Sequence, residues 1–181
     1  MLRMLRRVSC VLALSLPVSV HALEVGEVGP DWELYTVTGD SVRYYADAGN
    51  STSVILFWAT WCPYCRTLMP HLQTLADEFR ESPVRFYALD VWDEGDPVAY
   101  MERHGYTFTL LPLANAVAFR YGVQGTPGLF VLDGDHRVIY RRGGGETDAD
   151  VEKRVRAAIA GTVDTPGARQ PAMEPAAEEE Q

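Results

Sequence analysis

Cys62 and Cys65 enclose Pro63 and Tyr64 and follow Trp61. Two thiols at this spacing can pass between a dithiol and a disulfide, or can serve as half of a zinc site. A structural zinc needs four ligands, and none of His71, His104 and His136 falls in a paired spacing, so no metal is expected. A stabilising cross-link gains most by closing a long loop. This one would close a very short loop, so a redox pair is the stronger reading. The remaining cysteine, Cys10, lies in a separate N-terminal segment.

The elements around the pair suit that chemistry. Ser53 to Trp58 reads SVILFW, a short apolar run of the kind buried on both faces of a sheet. A helix should begin after Cys62, with Leu68, Leu72, Leu75, Ala76 and Phe79 on its core face and Pro70 kinking it. At a helix start, free backbone N–H groups and the positive dipole end favour a thiolate on Cys62. Cys65, one turn further in, should be more buried and react second. Pro63 suits the first helical position, and Arg66 adds a positive charge.

The rest of the chain alternates. Trp32 to Val37 and Val42 to Tyr45 flank Gly39-Asp40 as a hairpin. Val84 to Val91 reads as a strand. Asp96-Pro97 starts a helix that Gly105 can end. Tyr106 to Leu111 reads as a short strand, and Leu113 to Tyr121 as a helix stopped by Gly122. Leu129 to Leu132 and Val138 to Arg142 form a hairpin around Asp133-Gly134-Asp135. Thr147 caps a last helix carrying Val151, Val155, Ala158 and Ile159, and Gly161 can close it. The pattern predicts an α/β fold: a central mixed β-sheet flanked by helices, with an N-terminal β-hairpin and a central insertion.

Composition sets the outer limits. In 181 residues, 47% apolar content supports one packed domain. A net charge of −9 argues against nucleic acid as a partner. Arg3, Arg6 and Arg7 precede an apolar run, Val8 to Val20, and small residues surround Ala22. This is the pattern of a cleaved secretory signal over residues 1–22, which implies a periplasmic or otherwise extracytoplasmic location. The domain is expected over residues 23–165. Residues 166–181 are rich in Pro, Ala and Glu and read as a disordered acidic tail.

The phrase VILFWATWCPYC, with Pro70 beyond it and Gly125-Thr126-Pro127 far downstream, resembles the thioredoxin superfamily. The N-terminal hairpin and the segment near residues 95–111 resemble its exported TlpA/ResA branch. The resemblance covers about Val28 to Gly161. It implies a protein-disulfide oxidoreductase with Cys62 and Cys65 as the redox-active pair. It also implies a substrate groove supported by Trp61, Pro63, Tyr64, Thr126 and Pro127, with Pro127 cis and against the pair. No cofactor is implied. The implied partners are protein thiols and disulfides, apocytochrome c among them, and a membrane-bound thiol-disulfide partner that resets the pair.

Two departures stand out. Leu56 and Leu68 occupy positions where relatives of this type carry acids that can take a proton from the second cysteine. The phrase Gly122-Val123-Gln124-Gly125-Thr126-Pro127 is similar to disulfide isomerases, so reduction, oxidation and isomerisation all stay open. A copper-handling protein, with Met69 or His71 assisting the thiols, and a redox-inactive binding module of the same fold are further readings. The P-x-x-x-T-x-x-C pattern of peroxiredoxins is absent around Cys62.

Overall fold

The computed structural model describes residues 22–163. The expected signal segment, apart from Ala22, and the expected tail at 166–181 lie outside the described residues.

β1 (Glu33–Tyr35) and β2 (Ser41–Arg43) form an antiparallel pair. A five-residue helix, α1 (Tyr44–Ala48), follows where the strand was expected to continue through Tyr45. The Tyr45 N–H is taken by the Asp31 carboxylate at 3.0 Å, and Tyr44 turns into the core to stack on Trp32, which ends the strand.

The main sheet has the order β5-β4-β3-β6-β7. β3 (Thr52–Trp58) is buried throughout and lies parallel to β4 (Val84–Asp90), which is parallel to β5 (Thr109–Leu111). β6 (Gly128–Leu132) runs antiparallel to β3, and β7 (Val138–Arg141) antiparallel to β6. The period of two along β3 feeds two cores. Val54, Leu56 and Trp58 enter one, and Ile55 and Phe57 the other.

The first core is roofed by α2 (Pro63–Glu78), α3 (Pro97–His104) and α5 (Asp148–Val163). Leu68, Leu72 and Leu75 of α2 face Val151, Val155 and Ile159 of α5 across it. The second core is closed by the N-terminal hairpin, α1 and α4 (Asn115–Arg120).

Several element ends differ from expectation. β5 is shorter because the Thr107 N–H is bonded by the Gln73 side chain of α2 at 2.9 Å instead of a strand. α4 starts at Asn115, since Leu113 takes a left-handed conformation, φ 60°. α5 runs through Gly161, and Thr162 contacts Thr52 of β3 at 2.6 Å. Its start is as expected: the Thr147 hydroxyl accepts from Asp150 N–H at 3.2 Å.

The β6–β7 turn lies against the start of β3. A Cβ on Gly134 would stand 2.5 Å from the Asn50 carbonyl oxygen. That neighbour is backbone and cannot swing aside. Gly134→Ala is expected to destabilise the fold by about 1–3 kcal/mol. Urea unfolding checks this, and an unchanged midpoint would show that the turn moves freely.

Candidate active site

The register Trp58↔Asp90 ends β3 and β4 side by side. Their C-terminal loops therefore emerge together, where open α/β sheets place their sites. The loop after β3 carries Thr60, Trp61 and Cys62. The loop after β4 carries Trp92, Asp93, Glu94 and Gly95.

Cys62 is the N-cap of α2, with extended backbone (φ −75°, ψ 112°), and Pro63 follows in the first turn. Its Sγ accepts from the Cys65 N–H at 3.2 Å. Both cysteines are free thiols. The sequence predicts Cys65 to be the more buried thiol; in fact both are buried, at 1% and 0% exposure. The apolar end of the sheet packs over both sulfurs, because Trp58 and Ala59 belong to the same core. Exposure therefore does not separate the two thiols. Burial pushes the Cys65 thiol well up, and the neighbouring Cys62 adds to it; what sets Cys62 apart is its place as the cap of α2. The Ala59 backbone and the Thr126 hydroxyl act in the opposite sense.

Thr126 and Pro127 reach this point from the segment that leads into β6. The Thr126–Pro127 bond is cis. The Thr126 hydroxyl oxygen is buried without a hydrogen-bond partner among the described residues, close enough to Cys65 to act on its thiol. Trp61 and Tyr64 are exposed beside the pair. The structure thus brings together Trp61, Cys62, Pro63, Tyr64, Cys65 and Thr126 from the predicted set, with Pro127 adjacent.

Arg66 does not stand free as a charge. Its Nε and Nη2 donate to the Thr60 carbonyl at 3.3 and 3.1 Å. Beside Trp61 lies a groove of about 730 Å³, walled by Arg66, Tyr100, Arg103 and His104. The copper reading gains nothing here. Met69 is fully buried in the apolar core, and the His71 ring contacts the Glu152 carboxylate at 2.5 Å.

Sequence reasoning missed two acids. Asp93 accepts from the Thr60 N–H at 2.5 Å, from the Thr60 hydroxyl at 2.7 Å and from the Gly95 N–H at 2.9 Å. These bonds hold its carboxyl below the ordinary value even though burial opposes them. Asp90 is 5% exposed. Burial, then a hydrogen bond to Asp93 and the charge of Asp93, raise its carboxyl to about 7. A signal was present: an acid at the end of a buried strand, in the run Asp90-Val91-Trp92-Asp93.

The family described as AhpC/TSA matches residues 25–141. The chain belongs to this family. Over 94 residues, half of each chain, it is 35% identical to "Thiol:disulfide interchange protein DsbE homolog" of Paracoccus denitrificans. It thus spans about half the length of that relative. "Thiol-disulfide oxidoreductase ResA" of Bacillus thuringiensis is 26% identical over 137 residues, 74% of this chain and 78% of that one. A solved structure from Chlorobium tepidum, described as thiol:disulfide interchange protein DsbE, superposes with a TM-score of 0.67. It is 25% identical and covers 76% of this chain and 99% of that one. The fold of this AhpC/TSA member is thioredoxin-like, and its class is that of the thiol-disulfide oxidoreductases. Among the described residues no helix is long and apolar enough to cross a membrane.

Proposed function

We propose that this chain is an exported reductase of protein disulfides that uses the Cys62–Cys65 pair. The carrying observation is the chemical inequality of the two thiols. Cys62 caps a helix and receives the Cys65 N–H, whereas burial holds the Cys65 proton on. The Cys62 thiolate attacks one sulfur of a substrate disulfide. The substrate S–S bond breaks, and the other substrate sulfur leaves as a thiolate. Cys65 then attacks the Cys62 sulfur and surrenders its proton. The second substrate sulfur leaves as a thiolate, and the protein retains a Cys62–Cys65 disulfide. Two electrons have passed to the substrate.

The groups acting most strongly on Cys65 include no carboxylate, consistent with leucine at positions 56 and 68. The departing substrate thiolate is the natural acceptor of its proton. A membrane-bound thiol partner outside the cytoplasm would reset the pair. Apocytochrome c, with its own paired thiols, is a candidate substrate. Trp61, Tyr64 and the Pro127 loop offer the surface against which an extended substrate segment lies.

Two assays run together decide the direction. Insulin with a dithiol donor measures reduction, and reduced ribonuclease with no donor measures oxidation. Insulin reduction should exceed the uncatalysed rate by at least about ten-fold, with little regain of ribonuclease activity. Rapid regain of ribonuclease activity with barely reduced insulin would replace the reductase by an oxidase or isomerase.

A further inference from the structure

The loop after β4 holds the loop after β3 at two successive residues. Asp93 takes both donors of Thr60. The Trp92 carbonyl accepts from the Trp61 ring N–H at 3.0 Å. To present that carbonyl, Trp92 sits in the left-handed region at φ 51°, and its N–H is taken by the Asn115 side chain at 2.8 Å. A bulky residue held there costs energy that the surroundings must offset, a cost that clusters at functional sites. Gly95 closes in so tightly that a Cβ would fall onto the Thr60 hydroxyl. The far side of Thr60 is fixed as well, by Arg66 on its carbonyl. Cys62 is two residues further along.

We infer that Asp93 is a positioning residue for the cysteine pair, gripping Thr60 and thereby holding Cys62 at the start of α2. The inference rests on the reading of Cys62 and Cys65 as the reacting thiols. Asp90, buried at the end of β4, lines the same small cavity as Asp93 and Asn115. Protonated, it donates to Asp93 and leaves the Asp93 lone pairs on Thr60 and Gly95 in place. Ionised, it sets a second buried negative charge against Asp93 and loosens the grip. Few other charges intervene. Glu94 shares the loop, Asn115 of α4 is neutral, and Arg66 of α2 bonds the Thr60 carbonyl. The clamp should therefore be tight in mildly acidic solution and slacken as pH passes about 7.

The test uses the full chain with Asp93→Asn, Thr60→Val, Thr60→Ser and Asp90→Asn. An asparagine at 93 offers one acceptor and one donor where three donors converge. At pH 6.5, Asp93→Asn should slow alkylation of Cys62 by about ten-fold, because small displacements of a reacting group are costly. It should also shift the equilibrium constant with glutathione by about five-fold or more. Thr60→Val removes one clamp bond and should move both readouts in the same direction, while Thr60→Ser keeps the hydroxyl and stays within about two-fold. If Asp93→Asn does not fold, the two Thr60 variants decide. In the wild type, alkylation against pH should show an inflection near 7 that Asp90→Asn lacks. Wild-type equilibrium constants and pH profiles in all variants would overturn the clamp. If the wild type itself exchanges no disulfides, the proposed function fails instead.

Discussion

Cys62→Ser is expected to lower disulfide exchange by at least about a thousand-fold, because the bond-forming atom is removed and no neighbouring group replaces it. Cys65→Ser should behave differently. Cys62 still attacks, the mixed disulfide still forms, and the resolving step is lost. The substrate then stays attached through a Cys62 sulfur bond that a reductant releases. Non-reducing electrophoresis after mixing with a disulfide substrate reads both outcomes: adduct with Cys65→Ser, none with Cys62→Ser. The asymmetry follows from the helix start. Cys62 caps α2, and Cys65 lies one turn in with its charged form disfavoured by burial. Adduct through Cys65 in the Cys62→Ser protein would reverse the two roles. Since both sulfurs are buried, exposure alone does not predict which reacts first.

What could be read in the sequence was local. The run from Val54 to Cys65 contains a strand, a loop and a helix start, so the pair and its placement follow from a dozen adjacent residues. Asp96, Pro97 and Gly105 likewise mark the ends of α3 by their own chemistry, and the structure uses each: Asp96 accepts from Ala99 N–H, and Gly105 is left-handed. The clamp was not legible. It joins Thr60 to Asp93 across two loops that meet because Trp58 and Asp90 are paired in the sheet. Strand register is a tertiary fact that periodicity does not supply. The same limit explains α1, where a carboxylate fourteen residues earlier takes the Tyr45 N–H. Leucine at positions 56 and 68 reads as the lack of an acid there. Leu56 and Leu68 do pack in the apolar core, and among the described residues no carboxylate replaces them beside Cys65; the buried acid of the neighbouring strand, Asp90, acts on Asp93 instead.

That acid gives the other large effect. Asp90→Asn is expected to change how stability depends on pH. In the unfolded chain an aspartate binds its proton with a value near 3.8; in the fold, burial first and Asp93 second raise it to about 7. The folded state therefore holds the proton more tightly. The stabilisation from this group is complete below about pH 4, declines as pH rises, and is gone above about 8. The loss integrates to roughly 4 kcal/mol, a large share of a typical 5–15 kcal/mol stability. Asp93 works in the opposite sense, because its carboxyl is lowered, but its contribution is lost only below about pH 4. His136 is lowered by burial, so it favours folding above its unfolded value and loses that as pH falls. These other groups titrate in both proteins. The difference between wild type and Asp90→Asn isolates Asp90. Asparagine is neutral throughout and can still donate to Asp93. Denaturant unfolding at pH 5, 6, 7 and 8 should show wild type falling relative to the variant by up to about 1.4 kcal/mol per pH unit, with the variant the more stable at pH 8. Parallel curves would mean that Asp90 is ionised in the fold at all these values, and that the pair shares no proton.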